Sequence, residues 1–406
     1  MTSDLRKKIH NLGPGILMAT AAVGGSHLVA STQAGALFGW QLFTFIIIVN
    51  LLKYPFFKFA VSYTAKTNKS LVEGYKENSN GLFYLFTLLN VISAVVNTAG
   101  VLLLTALLLQ YVLPFKASLT SLSIGILFTC LLILLLGHYK ALDKASKIIM
   151  GFLTLSTLIA FFVALSNGQV HSEPASQISP FSMAMLGFMV ALMGWMPAPI
   201  EISAINSLWI KAKHRHVNID SNQALFDFKL GYGLTLLLAL LFFALGVLLQ
   251  YGQDKPIELA GIAFSKQLID MYAFTIGEWS RWLIATVAFL CMYGTTITVL
   301  DGYSRTINES YTLVAKSPKK LMSWILMAQA ILGLIVILFF KANIKDMLML
   351  AMTLSFLTTP FFAWLNYQLV KGEVFESESK VIKILTGIGF MFLVGISSLF
   401  LFWKMF

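Results

Sequence analysis

The sequence predicts an all-α polytopic membrane protein of eleven transmembrane helices, ten forming two inverted five-helix repeats and one standing outside them. Three observations lead there. Hydrophobic residues make up 58% of the 406-residue chain, charged residues only 12%, and mean hydropathy is +0.80; a water-soluble domain carries roughly a quarter charged residues. The apolar residues gather into eleven runs long enough to cross a hydrocarbon core about 30 Å thick. Two of those runs, the first and the sixth, are interrupted near their middles by glycine or proline.

Taken in chain order, the first five spans cover Leu12–Leu37, Gln41–Ala65, Gly81–Leu113, Ala117–Gly137 and Ile148–Ser166. The third has no charge over more than thirty residues, so it must tilt or extend beyond the membrane. The next five cover Phe181–Ile210, Asn222–Gln250, Arg281–Tyr303, Leu321–Phe340 and Asp346–Val370, and Val381–Trp403 follows as the additional helix. The repeats are accordingly 12–166 and 181–370, with 381–406 outside them, all within one transmembrane domain. Membrane β-strands are about ten residues long with alternating polarity, which excludes a barrel. The long segment Tyr251–Ser280 mixes Asp254, Lys255, Glu258 and Asp270 with apolar residues and suits a short interfacial helix.

Charge distribution sets the expected orientation. With the N-terminus in the cytoplasm, the inner segments hold 19 of the 29 Lys and Arg, beginning with Arg6, Lys7 and Lys8, and the outer ones hold seven. This asymmetry predicts N-inside, C-outside insertion in the cytoplasmic membrane. It also accounts for the net charge of +11 without nucleic acid, because the lysines lie in separate loops and not on one basic face. Cys130 and Cys291 both lie in apolar runs, so no disulfide scaffold is expected.

Backbone groups freed inside a membrane helix are tolerated where they line a cavity or bind something. The first span contains Gly24-Gly25-Ser26-His27, and the sixth contains Met196-Pro197-Ala198-Pro199. Aligned as halves of a repeat, Gly24 falls opposite Met196. Paired interruptions of this kind point to a solute site at the midplane of a transporter. The expected substrate contacts are therefore Gly24, Gly25, Ser26 and His27, with Met193, Met196 and Ala198 on the facing helix. Glu201 is a candidate coupling carboxylate, equally readable as a cap on the restarted helix. Lys53 lies near the centre of the second span and must be paired, wet or neutral. Asp301, Asp227 and Lys229 read as interfacial, and Asp301 is a further electrostatic candidate. The third span offers Asn90, Ser93 and Asn97 but no acid. His214-Arg215-His216 reads as a solvated basic loop, and no catalytic or metal-binding motif appears. No enzyme activity and no cofactor are expected, beyond a coupling ion such as a proton or sodium.

Gly13-Pro14-Gly15, the Gln33-Ala34-Gly35-Ala36 stretch followed by Phe38-Gly39, and Met196-Pro197 resemble the Nramp family. The resemblance implies a LeuT-type inverted repeat and alternating access, in a family of proton-coupled divalent-metal transporters. It also implies a divergent branch. The family's first-helix Asp-Pro-Gly-Asn motif falls on Gly24-Gly25-Ser26-His27, so Gly24 stands at the metal-binding aspartate and His27 at the asparagine. In the sixth-helix motif Ala-x-x-Met-Pro-His, Met193 replaces the alanine, Met196 and Pro197 remain, and Ala198 replaces the histidine. Ser203 stands at a second family histidine, and the third-helix acids fall within Ser93–Asn97.

Dehydrating a divalent cation without a carboxylate in its shell is costly. A donor-rich pocket beside a lysine instead suits a small anion, with bicarbonate the named candidate, or a small neutral solute. A metal substrate and an uncoupled uniporter are the alternatives. The expected partners are the lipid bilayer and the solute alone, with a monomer as the expected functional unit and higher assembly left open.

Overall fold

The computed structural model describes residues 12–115, 117–168, 179–214, 220–252, 261–315, 321–340 and 344–405. Arg6, Lys7, Lys8, Arg215, His216, Asp254, Lys255 and Glu258 lie outside them.

The described residues are almost entirely helical. The first span is α1 (Pro14–Ala22), a wide π turn (Ser26–Ser31) and α2 (Thr32–Phe38). There follow α3 (Phe43–Thr67), the short connecting helix α4 (Leu71–Asn78) and α5 (Asn80–Val112). Helix α6 (Leu119–Asn167) carries both the fourth and fifth spans. The connection expected between them is helical, helped by an Asp143–Lys147 ion pair of 2.6 Å at i,i+4.

The sixth span is again split, into α7 (Leu186–Trp195) and α8 (Ile202–His214). Then come α9 (Ser221–Gln250), α10 (Gly261–Ile276), α11 (Arg281–Ala315), α12 (Met322–Phe339) and α13 (Ile344–Val370). A single turn, α14 (Glu373–Glu376), leads into α15 (Lys380–Met405). Helix α10 lies in the long segment where an interfacial helix was expected. Nine stretches among the described residues are long and apolar enough to span a membrane; the split sixth span is not one of them.

Burial separates centre from rim. Of the most apolar stretches, 78% of α5 and 72% of both α9 and α11 is buried, against 28% of α12 and α15. The rim exposes Leu136, Phe162, Trp324, Phe339 and Phe402, a surface that suits lipid and not water.

Glycines set the closest approaches. A Cβ on Gly15 would fall 2.1 Å from the Asp227 carbonyl oxygen, and one on Gly231 the same distance from that of Gly15. Farther along, Gly35 meets the Phe243 carbonyl and Gly246 that of Thr32, also at 2.1 Å. Both halves of the first span therefore pack backbone to backbone on α9, as small residues permit between membrane helices. Gly194 of α7 abuts the Met352 carbonyl of α13 in the same manner, at 1.9 Å.

Two polar residues differ from expectation. Asp227 is buried against the first span, and its carboxylate accepts from Gly13 N (3.1 Å) and Gly15 N (2.9 Å). It caps the start of α1, where free N–H groups favour a negative charge. Asp301 is also buried; it accepts from Trp209 Nε1 at 2.9 Å and pairs with Arg305 at 2.6 Å. Lys229 is exposed.

Candidate functional site

The chain leaves helical geometry at Val23, whose φ and ψ are −79° and 85°, and resumes at Ser26. Such a break exposes the last carbonyls of α1, and α11 supplies their partners. Thr295 Oγ1 lies 3.0 Å from the carbonyl oxygens of both Thr20 and Val23, and Cys291 Sγ lies 3.1 Å from the latter. Gly24 permits this contact, since a Cβ there would fall 2.9 Å from Thr295 Cγ2.

The second break begins at Met196, after α7 ends. There Lys53, fully buried on α3, donates to the Met193 carbonyl at 2.5 Å. Its ammonium thus sits at a helix C-terminus, where carbonyl dipoles favour a cation. Lys53 also interacts electrostatically with Glu201, which is fully buried at the start of α8. At the first break the Thr20 and Val23 carbonyls, and at the second the Met193 carbonyl, are therefore within reach of protein donors.

Trp195 lies between the breaks. A Cβ on Gly25 would reach 2.5 Å from its ring, so only glycine lets the first span close over the indole. Trp195 separates two small cavities. One, of about 40 Å³, lies toward α2 and α13 and includes Val29, Gln33, Phe188 and Met352. The other, of about 20 Å³, lies toward α1 and α8 and includes Asn97, Pro199, Thr295 and Tyr303. Gly25 and Trp195 border both. Each cavity has room for one or a few waters at most, and both are walled mainly by apolar groups.

A buried hydrogen-bond chain leaves Trp195. Its Nε1 donates to Asn97 Oδ1 (2.9 Å) and Ser355 Oγ (3.2 Å). Asn97 Nδ2 donates to Tyr303 Oη (2.8 Å), and Tyr303 donates to Glu201 Oε1 (3.2 Å). Glu201 Oε2 is buried without a partner. On α5, Asn90 and Ser93 share the face of Asn97 by their i, i+3, i+7 spacing; the Asn90 amide and the Ser93 hydroxyl are buried and unpartnered as well.

Of the residues expected at the site, Gly24 and Gly25 border a cavity. Ser26 and His27 do not. His27 turns toward α9, where Nε2 donates to the Thr235 carbonyl at 3.0 Å, while Nδ1 stands 2.7 Å from Ser26 Oγ. Both ring nitrogens are thus engaged within the protein. Met193, Met196 and Ala198 are buried, and none of them borders either cavity. Glu201 and Lys53 come together, whereas Asp301 belongs to a separate contact between α8 and α11. Sequence reasoning missed Trp195, Tyr303, Thr295 and Ser355. The polar stripe on α5 was the available clue.

Among the described residues, no group of three or more His, Cys, Asp or Glu is arranged to hold a metal. The second half of the sixth span, α8, is tied down on several sides. Asn366 Nδ2 donates to Ser203 Oγ at 2.7 Å, Leu71 N donates to Ser207 Oγ at 3.0 Å, and Lys211 pairs with Glu73 at 2.5 Å.

Two split helices facing each other within an all-helical, multi-pass bundle define the LeuT-type fold, and solved structures similar to this chain share it. A manganese transporter from Eremococcus coleocola, in complex with an aromatic bis-isothiourea substituted compound, superposes with a TM-score of 0.73 at 13% identity, over 98% of this chain and 87% of that one. MhsT in complex with L-phenylalanine gives 0.68 at 12% identity, over 94% and 97%. A Na+-coupled sialic acid symporter in a substrate-bound outward-open state gives 0.62 at 15% identity, over 96% and 90%. No family model matches the chain. The chain belongs to the family of the uncharacterized protein PM0681 of Pasteurella multocida (strain Pm70), to which it is 48% identical over 406 residues, 98% of this chain and 93% of that protein.

Proposed function

We infer that the chain is a secondary transporter working by alternating access, and that it carries a small anion of the bicarbonate type or a small neutral solute in preference to a divalent metal. One observation carries the substrate reading: the carbonyls that a split-helix site would offer a cation are already occupied by Thr295, Cys291 and the Lys53 ammonium. A dication entering there must displace these donors and approach the Lys53 amine, and no cluster of acids among the described residues stands ready to replace its water. The small cavities that Trp195 borders favour a solute of few atoms.

In this reading Trp195 and Gly25 form the barrier between the two access routes. The halves 12–166 and 181–370 are the inverted repeats, 381–406 stands outside them, and the protein works as a monomer with its N-terminus in the cytoplasm. The test is uptake into proteoliposomes of labelled bicarbonate and of manganese, side by side, each with and without a pH or sodium gradient. Saturable bicarbonate uptake without manganese uptake is expected. Saturable manganese uptake would overturn the substrate reading, and uptake indifferent to both gradients would identify an uncoupled uniporter.

A further inference from the structure

We propose that Glu201 is the coupling-proton site of this carrier, with Lys53 as its neighbouring basic partner and Tyr303 and Asn97 relaying its state to Trp195. This rests on the transport reading above.

The geometry supplies each part. A buried carboxylate with one unpartnered oxygen is costly to retain, and such residues inside membranes mark ion or proton pathways. Glu201 fits that description: Oε1 accepts from Tyr303 at 3.2 Å, Oε2 has no partner at full hydrogen-bond geometry, and the Ser93 hydroxyl and the Glu201 backbone N–H are the nearby donors to the carboxylate. A proton arriving at Oε2 converts carboxylate to carboxylic acid and creates an O–H donor. The net charge of the Glu201–Lys53 pair then rises by one, and release of the proton reverses both changes. The ammonium stays on the Met193 carbonyl, where a mobile cation would otherwise be attracted. Ser93 and Asn90 offer buried, unpartnered polar atoms on the α5 face that leads from Asn97 toward the start of that helix, a route for the proton on that side.

Most other titratable groups near α8 are already engaged; His214, whose Nε2 has no partner, lies at the last residue of α8, thirteen positions from Glu201. From α3 comes Lys53, and from α11 come Tyr303 and Asp301, the latter held by Trp209 and Arg305. From α4 come Tyr75, bonded to Asn366, and Glu73, paired with Lys211. Helix α1 presents none, and α5 presents only neutral side chains on the face of Asn97. At the far end of α8, Lys213 interacts with Asp227 and Asp143. Glu201 is therefore the carboxylate whose charge can reach Trp195, by three hydrogen bonds through Tyr303 and Asn97.

The test uses the full-length protein in lipid vesicles. Infrared spectra from about pH 5 to about pH 9 are expected to contain a titrating carboxylic acid C=O band that E201Q abolishes. Tryptophan fluorescence should follow the same titration, an effect lost in W195F. In Y303F the infrared band should persist while the fluorescence response disappears. Labelled bicarbonate uptake driven by a pH gradient should fall about tenfold in E201Q, a typical size for coupling between sites. A wild-type spectrum without a titrating band, a band that survives E201Q, or a fluorescence response that survives Y303F overturns the proposal. Its failure is distinct from failure of the transport reading: a titrating band in vesicles that take up neither bicarbonate nor manganese leaves the proton site standing and removes the bicarbonate assignment.

Discussion

The Lys53 ammonium lies 2.5 Å from the Met193 carbonyl oxygen, so a cation belonging to one membrane helix closes the broken end of another. Removing one member of a buried charge pair typically costs about 3–5 kcal/mol, because the remaining charge is left uncompensated. Lys53→Met is therefore expected to destabilise the protein by about that amount. Adding E201Q should recover part of the loss, since the orphaned carboxylate disappears. Denaturant unfolding of the two single variants and the double variant in detergent checks both; additive losses would show that the residues are not coupled.

Thr295→Val keeps the side-chain shape but removes the hydroxyl that reaches the Thr20 and Val23 carbonyls. Leaving a buried acceptor unsatisfied costs about 1–3 kcal/mol, and a fall in melting temperature is the readout. The uncovered carbonyls should also admit a cation, so sodium should stabilise T295V more than the wild type. Equal stabilisation of both by sodium would remove the argument that these carbonyls are closed to cations.

Gly25→Ala tests the barrier. The added methyl must occupy space 2.5 Å from the Trp195 ring and 2.9 Å from the Leu104 side chain, so the indole or the first span has to shift. The expected outcome is a folded protein that has lost most uptake of whichever solute the wild type carries. Paired melting and uptake measurements decide it, and G25A with wild-type uptake would show that the first span and Trp195 do not gate.

The Glu73 carboxyl provides a pH test outside the spans. Burial alone would raise its pKa, but hydrogen bonds from Lys211 and Ser70 outweigh burial and hold it below the ordinary carboxylate value. A depressed folded value means that its contribution is present above the unfolded pKa of about 4.3 and is lost as pH falls through the folded value. Acidification below about pH 4 should therefore weaken the α4–α8 contact. Hydrogen exchange in Leu71–Asn78 should rise on that limb in the wild type and be already raised, with less pH dependence, in E73Q.

The spans and both interruptions are legible in the sequence, because run length and Gly or Pro placement are local properties. The connection inside α6 is not: a lysine-rich segment reads as a loop until Asp143 and Lys147 are seen to pair along a helix. Asp227 misleads similarly, since nothing in its own neighbourhood announces the bare N–H groups of Gly13 and Gly15 more than two hundred residues earlier. At the site, sequence reasoning finds the glycines of the first break but places His27 toward the sixth span, whereas its ring bonds to Thr235 on α9. The chain through Trp195, Asn97, Tyr303 and Ser355 joins four helices, and no spacing rule within one helix can reveal it.

The glycine contacts of α1 and α2 with α9, and of Gly194 with α13, fasten main chain to main chain at points along each pair. Elements joined so tightly move as single pieces. Any rocking that admits solute must run along the seam between these two blocks, where Gly25 meets Trp195, and a small change at that seam swings the whole of each block.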